Sequence, residues 1–167
     1  MSVDKDVGRP LYRTPSGLFS RRYAVLALDE TGSQKQATKP NGILIVEDDL
    51  LVASQMEAAL TEAGFDIMAV VTTGEEAIEV AGGQPPDIAI VDIRLAGDRD
   101  GVDTALEMFR LHGIRCIFAS AHSDLEARRR AEPAAPLGWL QKPYSMASLV
   151  AMVRQAAENL RDERRRS

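Results

Sequence analysis

Cysteine occurs once in the 167 residues, at Cys116, so no disulfide can form within the chain. It lies inside the apolar run Cys116–Ala119, which points to a buried thiol and fits a reducing compartment. No apolar run approaches the roughly 20 residues needed to span a bilayer. Ser20-Arg21-Arg22 ahead of the apolar stretch Tyr23–Leu28 has the look of a twin-arginine export signal. The stretch is too short, however, Asp29-Glu30 follow it, and no small-residue cleavage site comes next. Positive charge is scarce where most of the chain lies. Residues 42–160 hold nine Lys/Arg against nineteen Asp/Glu, a net of −10, which argues against broad nucleic-acid binding. Residues 1–41 hold seven against four, and residues 161–167 four against two, so the basic excess sits at the two ends. Arg164–Arg166 are too few to claim DNA or membrane contact.

The remaining composition, 45% hydrophobic and 27% charged, is that of an ordinary globular domain. Residues 1–41 lack periodicity apart from Tyr23–Leu28, and Thr31–Asn41 is linker-like, so they are expected to form a flexible arm, with an added edge strand as the alternative. From Gly42 the pattern turns regular. Ile43–Val46 reads as a buried strand ended by Glu47-Asp48-Asp49, and Val52, Met56 and Leu60 then mark a helix stopped by Gly64. Asp66–Val71 is a second strand. Thr73-Gly74-Glu75-Glu76 is a capping box that opens a helix to about Ala81. Pro85-Pro86 lead into Ile88–Val91, which ends at Asp92. A polar loop, Ala96–Gly101, precedes a helix to about His112 with Leu106, Phe109 and Leu111 as apolar contributors. Cys116–Ala119 is a fourth strand ending at Ser120, and Ser123-Asp124-Leu125-Glu126 caps a short arginine-rich helix. Gly138–Gln141 is a fifth strand running into Lys142-Pro143. Ser145 caps a last helix carrying Leu149, Val150, Val153, Ala157 and Leu160, with residues 161–167 as a short basic tail.

Five strands alternating with five helices predict a parallel sheet covered on both faces. In the flavodoxin-like order 2-1-3-4-5 the first, third, fourth and fifth strands are consecutive neighbours. Glu47 and Asp48, Asp92, Ser120 and Lys142 would then converge at one sheet edge. Taken singly, Asp92 is a turn residue, Glu47-Asp48 an acidic turn and Lys142 a solvated lysine. Taken together, four suitable residue types at four of five strand ends are hard to ascribe to chance. Three close carboxylates repel one another unless a cation lies between them, and Mg²⁺ suits carboxylates, water and phosphate. An aspartate can attack a phosphoryl group whose oxygens are neutralised by a metal, an ammonium and a hydroxyl.

These residues resemble the receiver domain of bacterial two-component response regulators, the CheY-like family, over about residues 42–160. The likeness rests on Ile43–Asp49, Pro86–Leu95, Phe118–Ala121 and Gln141–Tyr144. It implies that Asp92 accepts phosphate from a histidine kinase's phosphohistidine, or from a phosphotransfer protein. It also implies that Glu47, Asp48, Asp92 and the Arg94 carbonyl bind Mg²⁺, that Ser120 moves to bond the phosphate and that Trp139 reports the change. Lys142-Pro143 would be a cis peptide bond. Arg94 and His122, two residues beyond Asp92 and Ser120, would tune the phosphoryl lifetime, with Ala121 in the same switch segment. The sequence departs from the family pattern at Ala96, which stands where proline is usual. Its loop to Asp100-Gly101 is one residue longer, and Trp139 is bulkier than the common Tyr or Phe.

The resemblance further implies a cytoplasmic protein. With about seven residues after the last helix, a stand-alone receiver signalling through protein–protein contacts is expected, with a phosphate sink or relay intermediate as alternatives. A pseudo-receiver that binds partners without carrying phosphate is a rival class. A magnesium-dependent hydrolase is another, although Arg94 stands where its general acid would be.

Overall fold

The computed structural model describes residues 42–121 and 125–166. The expectations for residues 1–41, His122 and the Ser123-Asp124 cap lie outside the described residues. The elements follow in the order β1 (Gly42–Val46), α1 (Leu50–Glu62), β2 (Asp66–Val71), α2 (Gly74–Gly83), β3 (Ile88–Asp92) and α3 (Gly101–His112). Then come β4 (Arg115–Ser120), α4 (Leu125–Ala131), a single 3₁₀ turn (Glu132–Ala134), β5 (Gly138–Gln141) and α5 (Met146–Arg166). The sheet is parallel throughout, in the order β2-β1-β3-β4-β5. This is the flavodoxin-like arrangement expected from the alternation of strands and helices.

The central strands are apolar on both faces because both faces are covered. Ile43, Ile45, Ile88, Ile90 and Ile117 pack with Met56 and Leu60 of α1 and Leu149 and Val153 of α5. Their alternates Leu44, Val46, Ala89, Val91 and Phe118 pack with Ala77 and Val80 of α2 and Val102, Ala105 and Met108 of α3. Cys116 belongs to this second core, and burial pushes its thiol up to about 12, which makes it inert.

Two helices differ from the expected pattern. In α3 the buried stripe is Val102, Ala105 and Met108, whereas Leu111 lies exposed in the last turn. Residues 161–166, expected as a tail, continue α5. They have no apolar periodicity to announce a helix; ion pairs hold them instead. Arg164 meets Asp87 at 2.7 Å and Glu163 meets Arg115 at 3.0 Å, while Arg164–Arg166 suit the negative end of the helix dipole.

Glycine matters most at Gly101, the first residue of α3. Its amide donates to the Ile93 carbonyl at 2.9 Å, and a Cβ there would fall on the backbone carbonyl of Asp92. The start of α3 is thereby pressed against the backbone that carries Asp92. Gly101→Ala is expected to force these segments apart and cost about 1–3 kcal/mol, read as a Tm lowered by several degrees; an unchanged Tm would contradict the close approach.

Candidate functional site at the carboxyl edge of the sheet

Parallel register brings the strand ends together one step at a time. Val46 pairs with Val91, so Glu47 and Asp92 emerge side by side. Asp92 pairs with Ala119, and Ser120 pairs with Gln141, which sets Ser120 and Lys142 one step further along. The Lys142 amide donates to the Ser120 carbonyl at 2.8 Å, and the Lys142-Pro143 bond is cis, as expected.

Of the acidic run after β1, Asp49 is taken by the backbone. Its carboxylate caps α1 by accepting from the Leu51 and Val52 amides at 2.9 and 3.1 Å. Glu47 and Asp48 are left for the site. Carboxylate oxygens of Glu47, Asp48 and Asp92 lie within 4.8 Å of one another, with Glu47 and Asp92 buried and Asp48 exposed. Lys142 Nζ donates to Asp92 Oδ2 at 2.5 Å and stands 3.7 Å from Glu47 Oε2. The Arg94 amide donates to Asp92 Oδ1 at 3.2 Å, while the Arg94 residue is exposed.

Each of these groups feels the others. Burial pushes the Glu47 carboxyl up, the Asp92 charge pushes it further, and the Lys142 ammonium only partly offsets the two. Burial disfavours the Lys142 ammonium, yet the hydrogen bond and charge of Asp92, aided by Glu47, hold its pKa above the usual lysine value. Glu47 Oε2 and Ser120 Oγ are buried and have no hydrogen-bond partner among the described residues. Orphaned buried oxygens beside clustered carboxylates are costly unless a ligand meets them. The donor set is all oxygen, which fits a small hard cation and does not fit a thiophilic one.

The structure therefore brings Glu47, Asp48, Asp92 and Lys142 together and sets Ser120 on the adjoining strand end. Trp139 lies on β5, three residues before Lys142. Its half-buried ring stacks on Phe118 with centroids 4.7 Å apart and 21° between planes, and the Arg128 guanidinium lies 4.8 Å above it. Ala121 follows Ser120 at the rim and is half-buried. Asp100 and Asp103 near the start of α3 are ion-paired with Arg130, 30 and 27 residues further along the chain, a pairing with no local sequence pattern to announce it.

The profile of the response regulator receiver domain matches residues 43–154. Among curated proteins, the chain is 30% identical over 126 residues to the transcriptional regulatory protein PdtaR of Mycobacterium tuberculosis, covering 75% of this chain and 61% of that protein. It is also 30% identical over 141 residues to the phyllosphere-induced regulator PhyR of Methylorubrum extorquens, covering 83% of this chain and 52% of that one. The chain thus spans between half and two thirds of the length of these relatives. A signal receiver domain of a modulated diguanylate cyclase from Desulfovibrio desulfuricans superposes with a TM-score of 0.68 at 36% identity, covering 74% of this chain and 98% of that one. No helix of the described residues is long and apolar enough to cross a membrane.

Because burial and the Asp92 charge raise the Glu47 pKa in the fold, protonating Glu47 stabilises the metal-free fold relative to the unfolded chain. That stabilisation is present below the unfolded value and is lost as pH rises through the folded one. In a chelator, Glu47→Gln is expected to melt several degrees above the unaltered protein at neutral pH, the gap closing toward pH values of about 4. Equal melting temperatures across that range would contradict the repulsion.

Proposed function

The chain belongs to the response regulator receiver domain family of two-component signalling, and from that premise we propose that Asp92 is the phosphoryl acceptor of a Mg²⁺-dependent switch. The observation that carries this reading is the Asp92 carboxylate held by the Lys142 ammonium at 2.5 Å inside a trio of carboxylates. In the transfer, an Asp92 oxygen forms a bond to the phosphorus of a phosphohistidine. The phosphorus–nitrogen bond breaks, and the imidazole leaves with the electron pair and takes up a proton. Glu47, Asp48, Asp92 and the Arg94 carbonyl are the groups that would hold Mg²⁺, which supplies charge neutralisation for phosphoryl oxygens.

Lys142 does two things in this scheme. It damps the repulsion between Asp92 and Glu47 before transfer, and its ammonium stays charged at neutral pH to meet a phosphoryl oxygen afterwards. The buried Ser120 hydroxyl, unpartnered among the described residues, is the hydrogen-bond donor for a further oxygen. Phosphorylation adds roughly 1.5 to 2 negative charges at Asp92, and Ser120 is drawn toward them. Arg94 and His122 remain in the reading as tuning positions for the phosphoryl lifetime.

A protein partner is supported by the surface beside the site. Leu50 and Leu51 open α1 directly after the acidic run and are 64% and 69% exposed. An apolar pair next to a reactive carboxylate suits a kinase or phosphotransfer helix, and the site's output is contact with another protein.

Incubation with acetyl phosphate and Mg²⁺, followed by intact mass, is expected to show one added phosphoryl group that is absent from Asp92→Ala and after chelation. Lys142→Ala should slow its formation about a hundredfold. No adduct on the unaltered chain would instead support a binding module, and repeated turnover on phosphate esters would support a hydrolase. Leu51→Ala is expected to leave the acetyl phosphate reaction unchanged while slowing transfer from a histidine kinase about tenfold. Equal slowing of both reactions would place Leu51 in the chemistry and contradict a docking role.

A further inference from the structure

Helices α1 and α5 pack side by side on one face of the sheet and leave a groove between their outer sides. Its apolar walls are Ala59 and Ala63 from the end of α1 and Met146, Val150 and Ala151 from α5, and it encloses about 500 Å³. Met146 and Val150 pack against the core beneath yet remain half-buried, and the described residues leave their outer surface uncovered. Two charges also line the groove, Glu62 on the α1 wall and Arg154 on the α5 wall. Neither is ion-paired among the described residues.

The chain itself holds a segment of matching chemistry. Tyr23–Leu28, the longest apolar stretch in residues 1–41, is preceded by Arg21-Arg22 and followed by Asp29-Glu30. Its basic flank complements Glu62 and its acidic flank complements Arg154. Residues 1–41 as a whole carry a net +3 against −10 over residues 42–160, so the two parts attract. A bare apolar run of this kind, left in water, invites association with other chains.

The reach is sufficient. Gly42 pairs with Asp66, and its amide donates to Asp87 Oδ2 at 3.0 Å, which fixes where residues 1–41 leave the sheet. Asp66 comes three residues after Ala63, so the α1 end of the groove lies within about 16 Å of Gly42, one strand spacing plus three residues of chain. Residues 29–41 can span up to about 45 Å. A tether longer than its gap presents its end at effective concentrations on the order of millimolar, so a weak contact is enough to keep the groove filled.

We propose that Tyr23–Leu28 docks in the groove between α1 and α5 of its own chain, with Arg21-Arg22 toward Glu62 and Asp29-Glu30 toward Arg154. The segment is an internal strap over this face. It meets the end of α1, so Leu50 and Leu51 at the start of that helix stay open to a partner. An outside helix or a second copy seeking the groove must first displace the strap.

The test needs neither phosphate nor metal, so it stands or fails separately from the assignment of Asp92. Cys116 is buried with its thiol pushed up to about 12, so a nitroxide label attaches only at an introduced thiol. With the label at Ser20→Cys in the isotopically enriched full chain, the amide signals of Ala147, Val150 and Ala151 are expected to lose more than half their intensity. Adding Leu26→Asp, which leaves the tether unchanged, should restore them. Ala151→Arg, which fills the groove from an exposed position, should do the same, and Leu26→Asp carries the test if that variant does not fold. Undiminished groove signals would overturn the proposal, as would losses centred on β2, the mark of an added edge strand. Losses in an enriched, unlabelled chain mixed with labelled, unenriched chain would assign the groove to a second copy and overturn it equally.

Discussion

Mutual repulsion at one sheet edge is the constraint that the rest of the structure answers to. Glu47 and Asp92 are buried side by side with Asp48 at the rim, and one ammonium, Lys142, reaches both buried carboxylates. A single positive charge does not balance this cluster, as the raised Glu47 pKa records. Charges left uncompensated in low dielectric are destabilising unless a further cation or an incoming group meets them. The same imbalance that weakens the metal-free fold is what would make the edge receptive to a cation.

The scaffold makes that imbalance bearable and specific. Four adjacent parallel strands deliver the groups in register, and their apolar stems are buried on both faces, so the edge cannot relax by moving the strands apart. Gly101 lets α3 close directly onto the Asp92 backbone, and Asp49 keeps its carboxylate occupied with the start of α1. The acidic run after β1 is thereby divided between a structural cap and the site. On the far side, α4 is held by charge and ring contacts and buries little apolar surface.

The fold was largely legible from the sequence because its signals are local. Apolar runs closed by polar residues, glycine stops and capping boxes mark every strand and most helix starts. The strand order and the convergence of Glu47, Asp48, Asp92 and Lys142 followed from the topology that such an alternation allows. What escaped was what depends on distant partners. The last turns of α5 are secured by Arg115 and Asp87, far away in sequence, and carry no apolar period. Leu111 reads as an apolar contributor to its helix, yet Val102, Ala105 and Met108 fill the interface. The grip of Arg130 on Asp100 and Asp103 left no trace in a run of three arginines, which reads as an ordinary solvated face.

The central proposal is that the Asp92 carboxylate becomes a phosphoryl acceptor through a cation held by its acidic neighbours and through Lys142. Fluorine NMR of the chain with beryllium fluoride, a stable mimic of the phosphoryl group, measures this most directly. Bound-fluoride resonances should appear when Mg²⁺ is present, vanish on chelation, and be absent from Asp92→Asn and Asp48→Asn. Resonances that persist without Mg²⁺, or that survive the loss of Asp92, would contradict it.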